Sequence, residues 1–229
     1  MINPIYYLYR IRPSHKKIIE DNFKFYRRLS TYDKRKFDYR VREFIQAHQF
    51  VGRENIIITP VKKTVIASIA VMLTFKMSKY LYRQFENIIV YPNNYLSQIT
   101  HQKHRGETNP KAKTIVFSWE GIVEGIKVED DNLNLGIHEF THALYFSLVN
   151  DSGNEATQFI SNFKKVIRFL EDKTMRDKLI KANYFRDYAY ENQYEFLSVI
   201  TENYFETPGE FHTKLPDLFL LVNRLYKIY

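Results

Sequence analysis

The segment Leu135-Gly136-Ile137-His138-Glu139-Phe140-Thr141-His142 contains H-E-x-x-H within an apolar stretch, and it restricts the chain more than any other feature. On a helix, residues four apart lie one turn apart on the same face. In an extended strand the same two residues stand about 13 Å apart. Only the helix lets the imidazoles of His138 and His142 reach one metal ion. Leu135, Phe140, Leu144 and Phe146 make that helix mostly apolar, so it has to pack against other elements. Glu139 follows the first histidine and can point at the open side of the ion. There it can accept a proton from a water that zinc makes more acidic. The five-residue pattern arises by chance in roughly one percent of chains this long.

A catalytic zinc needs a third protein ligand and an open position. The chain has no cysteine, which excludes thiolate ligands and disulfides and leaves His, Asp and Glu. No H-x-x-G-x-x-H continuation follows His142, so a third histidine in that register is absent. The segment from Tyr188 to Glu202 reads as a helix with Phe196, Leu197, Val199 and Ile200 buried. Glu195 and Glu202 are seven apart and share a face beside those positions. A carboxylate pressed against a core needs a partner, and a metal is one. The residues alone leave open whether Glu195 is a ligand or a surface acid. His101 and His104 fall in a basic loop, as solvated residues or as a flap. His15, His48 and His212 have no evident partner.

The 229 residues are 45% hydrophobic, with 18 Tyr and 18 Phe, enough to build a packed core. Residues 15–29 are basic and aromatic and suit a helix. Ser30-Thr31-Tyr32-Asp33 marks a helix start, followed by Phe37, Val41, Phe44, Ile45 and His48 at helical spacing across 34–49. The runs 55–60 and 87–92 each end in Pro and read as short buried strands around a helix over 62–80. Residues 93–113 read as a polar loop, 114–119 as a strand and 120–132 as a Gly- and acid-rich loop. Strand 114–118 is taken as the edge to which a peptide could add as an extra strand. Helices are expected near 134–149, 155–171, 191–205 and 216–228. The class is α+β, with a small sheet early and a helical second half.

The net charge is +8 and the pI near 9.4, which permits acidic partners. No nucleic-acid-binding motif accompanies the charge, so it is read as spread over solvated faces, with no specific nucleic acid partner. No stretch reaches the roughly 18 apolar residues that cross a bilayer. The opening MINPIYYLYRIRPSHKK does not read as a signal peptide. A cytoplasmic protein is expected.

From about residue 30 onward the chain resembles the Mlc titration factor A family of bacterial zinc peptidases. The catalytic half of that family is similar to that of anthrax lethal factor. Carrying the resemblance are Phe50-Val51-Gly52, Ile66-Ala67-Ser68, Val90-Tyr91-Pro92, Phe117-Ser118-Trp119 and the His138–His142 string. The late runs Glu195-Phe196-Leu197-Ser198-Val199 and Glu202-Asn203-Tyr204-Phe205 complete it. It implies a zincin-like fold over 31–229 behind an extension of residues 1–30. It also implies one Zn²⁺ per chain held by His138, His142 and Glu195, with Glu139 catalytic. Tyr188 falls where the family has a tyrosine near the metal, suited to donate to a developing oxyanion. Two positions depart from the family: its Asn-Glu-Ala-Glu is here Asn192-Gln193-Tyr194-Glu195, and its polar-Leu-Asp after the second histidine is here Ala143-Leu144-Tyr145.

The reading expected from all this is a gluzincin-type metallopeptidase acting on a peptide or protein, with aminopeptidase-like activity implied by the resemblance. The resemblance also implies a link to sugar-uptake regulation through a transcriptional repressor. The alternative is a regulatory module that sequesters such a repressor around a vestigial or structural zinc site.

Overall fold

Side-chain caps set the starts of the main helices. Ser30 accepts a hydrogen bond from the Asp33 backbone N–H at 3.1 Å, and Thr59 from that of Lys62 at 3.3 Å. Ser118 accepts from Gly121 at 3.0 Å, Asn134 from Ile137 at 3.0 Å and Asn192 from Glu195 at 3.1 Å. Each satisfies an N–H group that a helix start leaves unpaired.

The computed structural model describes residues 5–8, 11–97 and 101–229. Its first half runs α1 (Ile5–Leu8), α2 (Pro13–Asn22), α3 (Lys24–Arg27), α4 (Thr31–Ala47), β1 (Gln49–Gly52), α5 (Pro60–Leu73), β2 (Asn87–Tyr91), β3 (Tyr95–Leu96), β4 (Lys103–His104), β5 (Gly106–Asn109) and β6 (Thr114–Ser118). Helices follow: α6 (Trp119–Lys127), α7 (Leu135–Val149), α8 (Asn154–Glu171), α9 (Lys173–Ala182), a 3₁₀ turn (Asp187–Tyr190), α10 (Gln193–Glu206), α11 (Pro208–Lys214) and α12 (Pro216–Tyr226). This is the α+β architecture expected, with the sheet in the first half and helices in the second.

The main sheet has the order β1-β2-β6-β5. The first three strands are parallel, and β5 pairs antiparallel with β6 from Gly106↔Phe117 to Asn109↔Thr114. β3 and β4 form a separate antiparallel hairpin. α7 lies against β5, β6, α5 and α10. Its Phe140 is fully buried and packs on Phe44, Tyr82 and Phe117 at ring distances of 5.3–5.8 Å. Ile19, Phe23 and Tyr26 from the first thirty residues join the same buried cluster. Among the described residues, no helix is long and apolar enough to cross a membrane.

Several local expectations are corrected. The run 55–60 is not a strand; the pairing strand is Gln49–Gly52. Glu54 and Asn55 adopt φ of 51° and 63°, which turns the chain back, and Ile57 is left 77% exposed. Gly52 permits that turn, because a Cβ there would lie 2.1 Å from the Ile56 carbonyl oxygen. The helix begun at Pro60 stops at Leu73 rather than near 80. Residues 15–29 form two helices broken at extended Phe23. The polar loop 93–113 holds β3, β4 and β5, so β6 is an inner strand and the edge on its side of the sheet is β5. The loop 120–132 begins as α6, where Trp119, Ile122, Val123 and Ile126 keep helical spacing.

Candidate metal centre

Asn134 starts α7 so that its first two turns carry His138, Glu139 and His142 beneath β5. α10 crosses α7 and delivers Glu195 from its first turn. His138 Nε2 stands 2.9 Å from Glu195 Oε2, His142 Nε2 is 3.5 Å from Glu195 Oε1, and the two Nε2 atoms are 3.2 Å apart. One ligand atom from each of the three residues falls within 4.8 Å of the others. Tetrahedral bonds of ~2.0–2.1 Å place ligand atoms about 3.3 Å apart. The three side chains are therefore compatible with a small divalent ion.

The electrostatics agree with that fit. His138 Nδ1 bonds Glu202 Oε1 at 2.9 Å, which directs the Nε2 lone pair toward Glu195. Glu195 Oε2 is buried and faces His138 Nε2 across 2.9 Å. Burial acts against a charge on His138, but hydrogen bonds to Glu195 and Glu202 outweigh it and raise the group to about 10. Burial would likewise raise the Glu195 carboxyl, yet the two imidazoles hold it well below the usual carboxylate range. The potential that would trap a proton here also attracts a divalent cation.

Glu139 is 6% exposed and sits beside this cluster. Burial raises its carboxyl, opposed by His138, His142 and the hydroxyl of Thr108. Thr108 Oγ1 lies 2.8 Å from Glu139 Oε2. Gly106, on the same face of β5, leaves space for the side chain: a Cβ there would lie 2.7 Å from both Glu139 Cγ and Oε1.

Tyr188, in the 3₁₀ turn, places its ring 5.8 Å from that of His138. Its phenol is raised by burial and by the charge and hydrogen bond of Glu195, so it stays protonated. The two departures from the family pattern meet beyond Glu195, where the rings of Tyr145 and Tyr194 are 5.1 Å apart. A cleft of about 340 Å³ opens beside the cluster, lined in part by Lys103, His104, Arg105, Glu124, Arg186 and Tyr188.

All five residues singled out in the sequence are thus brought together. His104 lines the cleft, whereas His48 stacks on Phe44 and bonds its carbonyl, and His212 packs on Phe219. Sequence reasoning missed Glu202 as the partner of His138, and it missed Arg186, Thr108 and Gly106 altogether. The spacing of seven between Glu195 and Glu202 was the available signal for the first. For Arg186, Thr108 and Gly106 there was none.

The family model described as glucose-regulated metallo-peptidase M90 matches residues 6–227. A protein of Synechocystis sp. (strain ATCC 27184 / PCC 6803 / Kazusa), named uncharacterized protein slr2042, is 25% identical over 238 aligned residues. The alignment covers 93% of this chain and 83% of that protein.

Proposed function

The chain belongs to the glucose-regulated metallopeptidase family M90, the family of Mlc titration factor A, and from that premise we propose that it hydrolyses peptide bonds at a single zinc ion held by His138, His142 and Glu195. The observation that carries the reading is the convergence of two imidazole nitrogens and one buried carboxylate on a common point, with Glu139 beside it. Two nitrogens and one oxygen, with a fourth position open to water, are the donor set of a catalytic zinc.

When bound, the metal polarises the scissile carbonyl and makes a water more acidic. Glu139 accepts the proton of that water and passes it to the leaving amine. Thr108 holds the carboxylate in the orientation that reaches the water. Tyr188 donates its hydroxyl to the oxygen that becomes negative as the carbonyl is attacked. The free edge of β5, not of β6, accepts the substrate backbone as an added strand. Glu139 favours catalysis over the sequestering module, because a purely structural ion has no use for a neighbouring base. A repressor remains the regulatory partner that the family resemblance suggests, and cytoplasmic action is part of the same reading.

Removal of the metal tests this. Chelation should abolish cleavage of a peptide substrate, and one equivalent of zinc should restore it. Cleavage that survives complete removal of zinc would overturn the reading.

A further inference from the structure

Arg186 lies outside the motif, yet it touches three parts of the metal centre at once. Its Nη2 donates to Glu202 Oε1 at 2.7 Å and its Nη1 to Glu202 Oε2 at 3.1 Å, so the guanidinium grips both carboxylate oxygens. Nη1 also donates to the Asn132 carbonyl at 2.5 Å, in the segment that leads into α7. The guanidinium carbon stands 5.9 Å from the centre of the Tyr188 ring. The 3₁₀ turn that carries Tyr188 starts on Arg186, whose carbonyl accepts from the Ala189 N–H at 2.9 Å.

The Glu202 side chain is 1% exposed. Besides the two bonds from Arg186, it receives His138 Nδ1 at 2.9 Å and the Asn134 backbone N–H at 2.8 Å. A carboxylate so buried is costly unless a charge compensates it. Arg186 supplies that charge and fixes the plane of the carboxylate through its fork. With the plane fixed, Oε1 is aimed at His138 and holds that ring with Nε2 toward Glu195.

We propose that Arg186 is a positioning residue for the metal centre. The guanidinium sets the His138 ring through Glu202 and stands beside the Tyr188 ring. Zinc affinity then depends on this side chain. This rests on the metallopeptidase reading above. Lysine cannot replace it, because a compact ammonium presents no planar fork and cannot hold both carboxylate oxygens and the Asn132 carbonyl in one geometry.

The experiment measures zinc affinity by chelator competition, the absorption spectrum of the cobalt-substituted protein and the unfolding midpoint of the metal-free protein. Wild type, Arg186→Lys and Arg186→Met are compared. Both variants should bind zinc about 10- to 100-fold more weakly, the usual effect of losing a partner behind a ligand. The cobalt spectrum should shift, and the metal-free midpoint of Arg186→Lys should stay near that of wild type. Unchanged zinc affinity and an unchanged cobalt spectrum in Arg186→Lys would overturn the proposal. So would a loss of affinity that only parallels a loss of metal-free stability in that variant. Should Arg186→Met fail to fold around an uncompensated Glu202, the double variant Glu202→Gln/Arg186→Met removes the buried charge and keeps an acceptor for His138. Wild-type zinc affinity in that protein overturns the proposal; weakened affinity supports it. A wild-type chain that takes up no zinc would overturn the metallopeptidase reading, and this proposal with it.

Discussion

Thr108 donates its hydroxyl to Glu139 Oε2 across 2.8 Å, so the strand at the edge of the sheet also holds the carboxylate beside the His138, His142 and Glu195 cluster. Gly106, two residues earlier on β5, faces the same way and leaves the Glu139 side chain room. Loss of a hydrogen bond to a charged group costs about 1.5–3 kcal/mol. Thr108→Val should therefore slow turnover at least about tenfold, with zinc content unchanged, and Thr108→Ser should recover most of it. Gly106→Ala should be worse, since its Cβ cannot coexist with the present Glu139 rotamer. Steady-state kinetics with zinc assayed in the same samples checks both; full activity in Gly106→Ala would contradict the packing argument.

Glu139→Gln keeps the shape of the side chain and a carbonyl oxygen for Thr108 to donate to, but it removes the carboxylate proposed as the base. Zinc should remain and hydrolysis should fall by about 10²–10⁴-fold. A variant active within a few-fold of wild type would exclude Glu139 as the base.

Tyr188→Phe removes one hydroxyl from a ring that is 41% exposed, so folding should be unaffected. As an oxyanion donor, Tyr188 should cost on the order of 10²–10³-fold in kcat when lost. A packing residue would leave kcat nearly unchanged.

How much of this was legible in the sequence depended on whether local chemistry or pairing decides each element. His138, Glu139 and His142 needed only helix periodicity, and α7, α8, α10 and α12 lie within a few residues of where apolar spacing puts them. Glu195 and Glu202 share a face of one helix, but spacing cannot say which carboxylate meets Nε2 of His138 and which meets Nδ1. That depends on the crossing of α7 and α10. β5 was invisible because Gly106, Glu107 and Asn109 have little strand preference; backbone pairing with β6 makes them a strand. The opposite failure occurs at 55–58, where three consecutive isoleucines suggest a buried strand. The left-handed turn at Glu54 and Asn55 sends them away from the sheet instead.

Asp38 gives the fold a pH dependence away from the site. Burial raises its carboxyl from 3.8 to about 6, opposed by the hydrogen bond from Tyr26 and by Lys16 and Lys34, while Glu20 adds to the rise. The folded chain thus binds this proton more tightly than the unfolded chain. Its stabilising contribution is complete below about pH 4 and is lost as pH rises through 6. Asp38→Asn keeps an acceptor for Tyr26 and removes the titration. It should be more stable than wild type above pH 7, by up to about 3 kcal/mol, with the gap closing toward pH 4. Unfolding midpoints across that range check the sign; parallel curves for the two proteins would contradict it.

The most direct test is the zinc stoichiometry of the purified chain, measured by elemental analysis on wild type and Glu195→Ala side by side. Wild type should carry one zinc per chain, and Glu195→Ala, left with two imidazoles, should lose it on dialysis against a mild chelator. A wild-type chain without zinc, or a Glu195→Ala chain that keeps a full equivalent, would contradict the assignment of His138, His142 and Glu195 as the metal site.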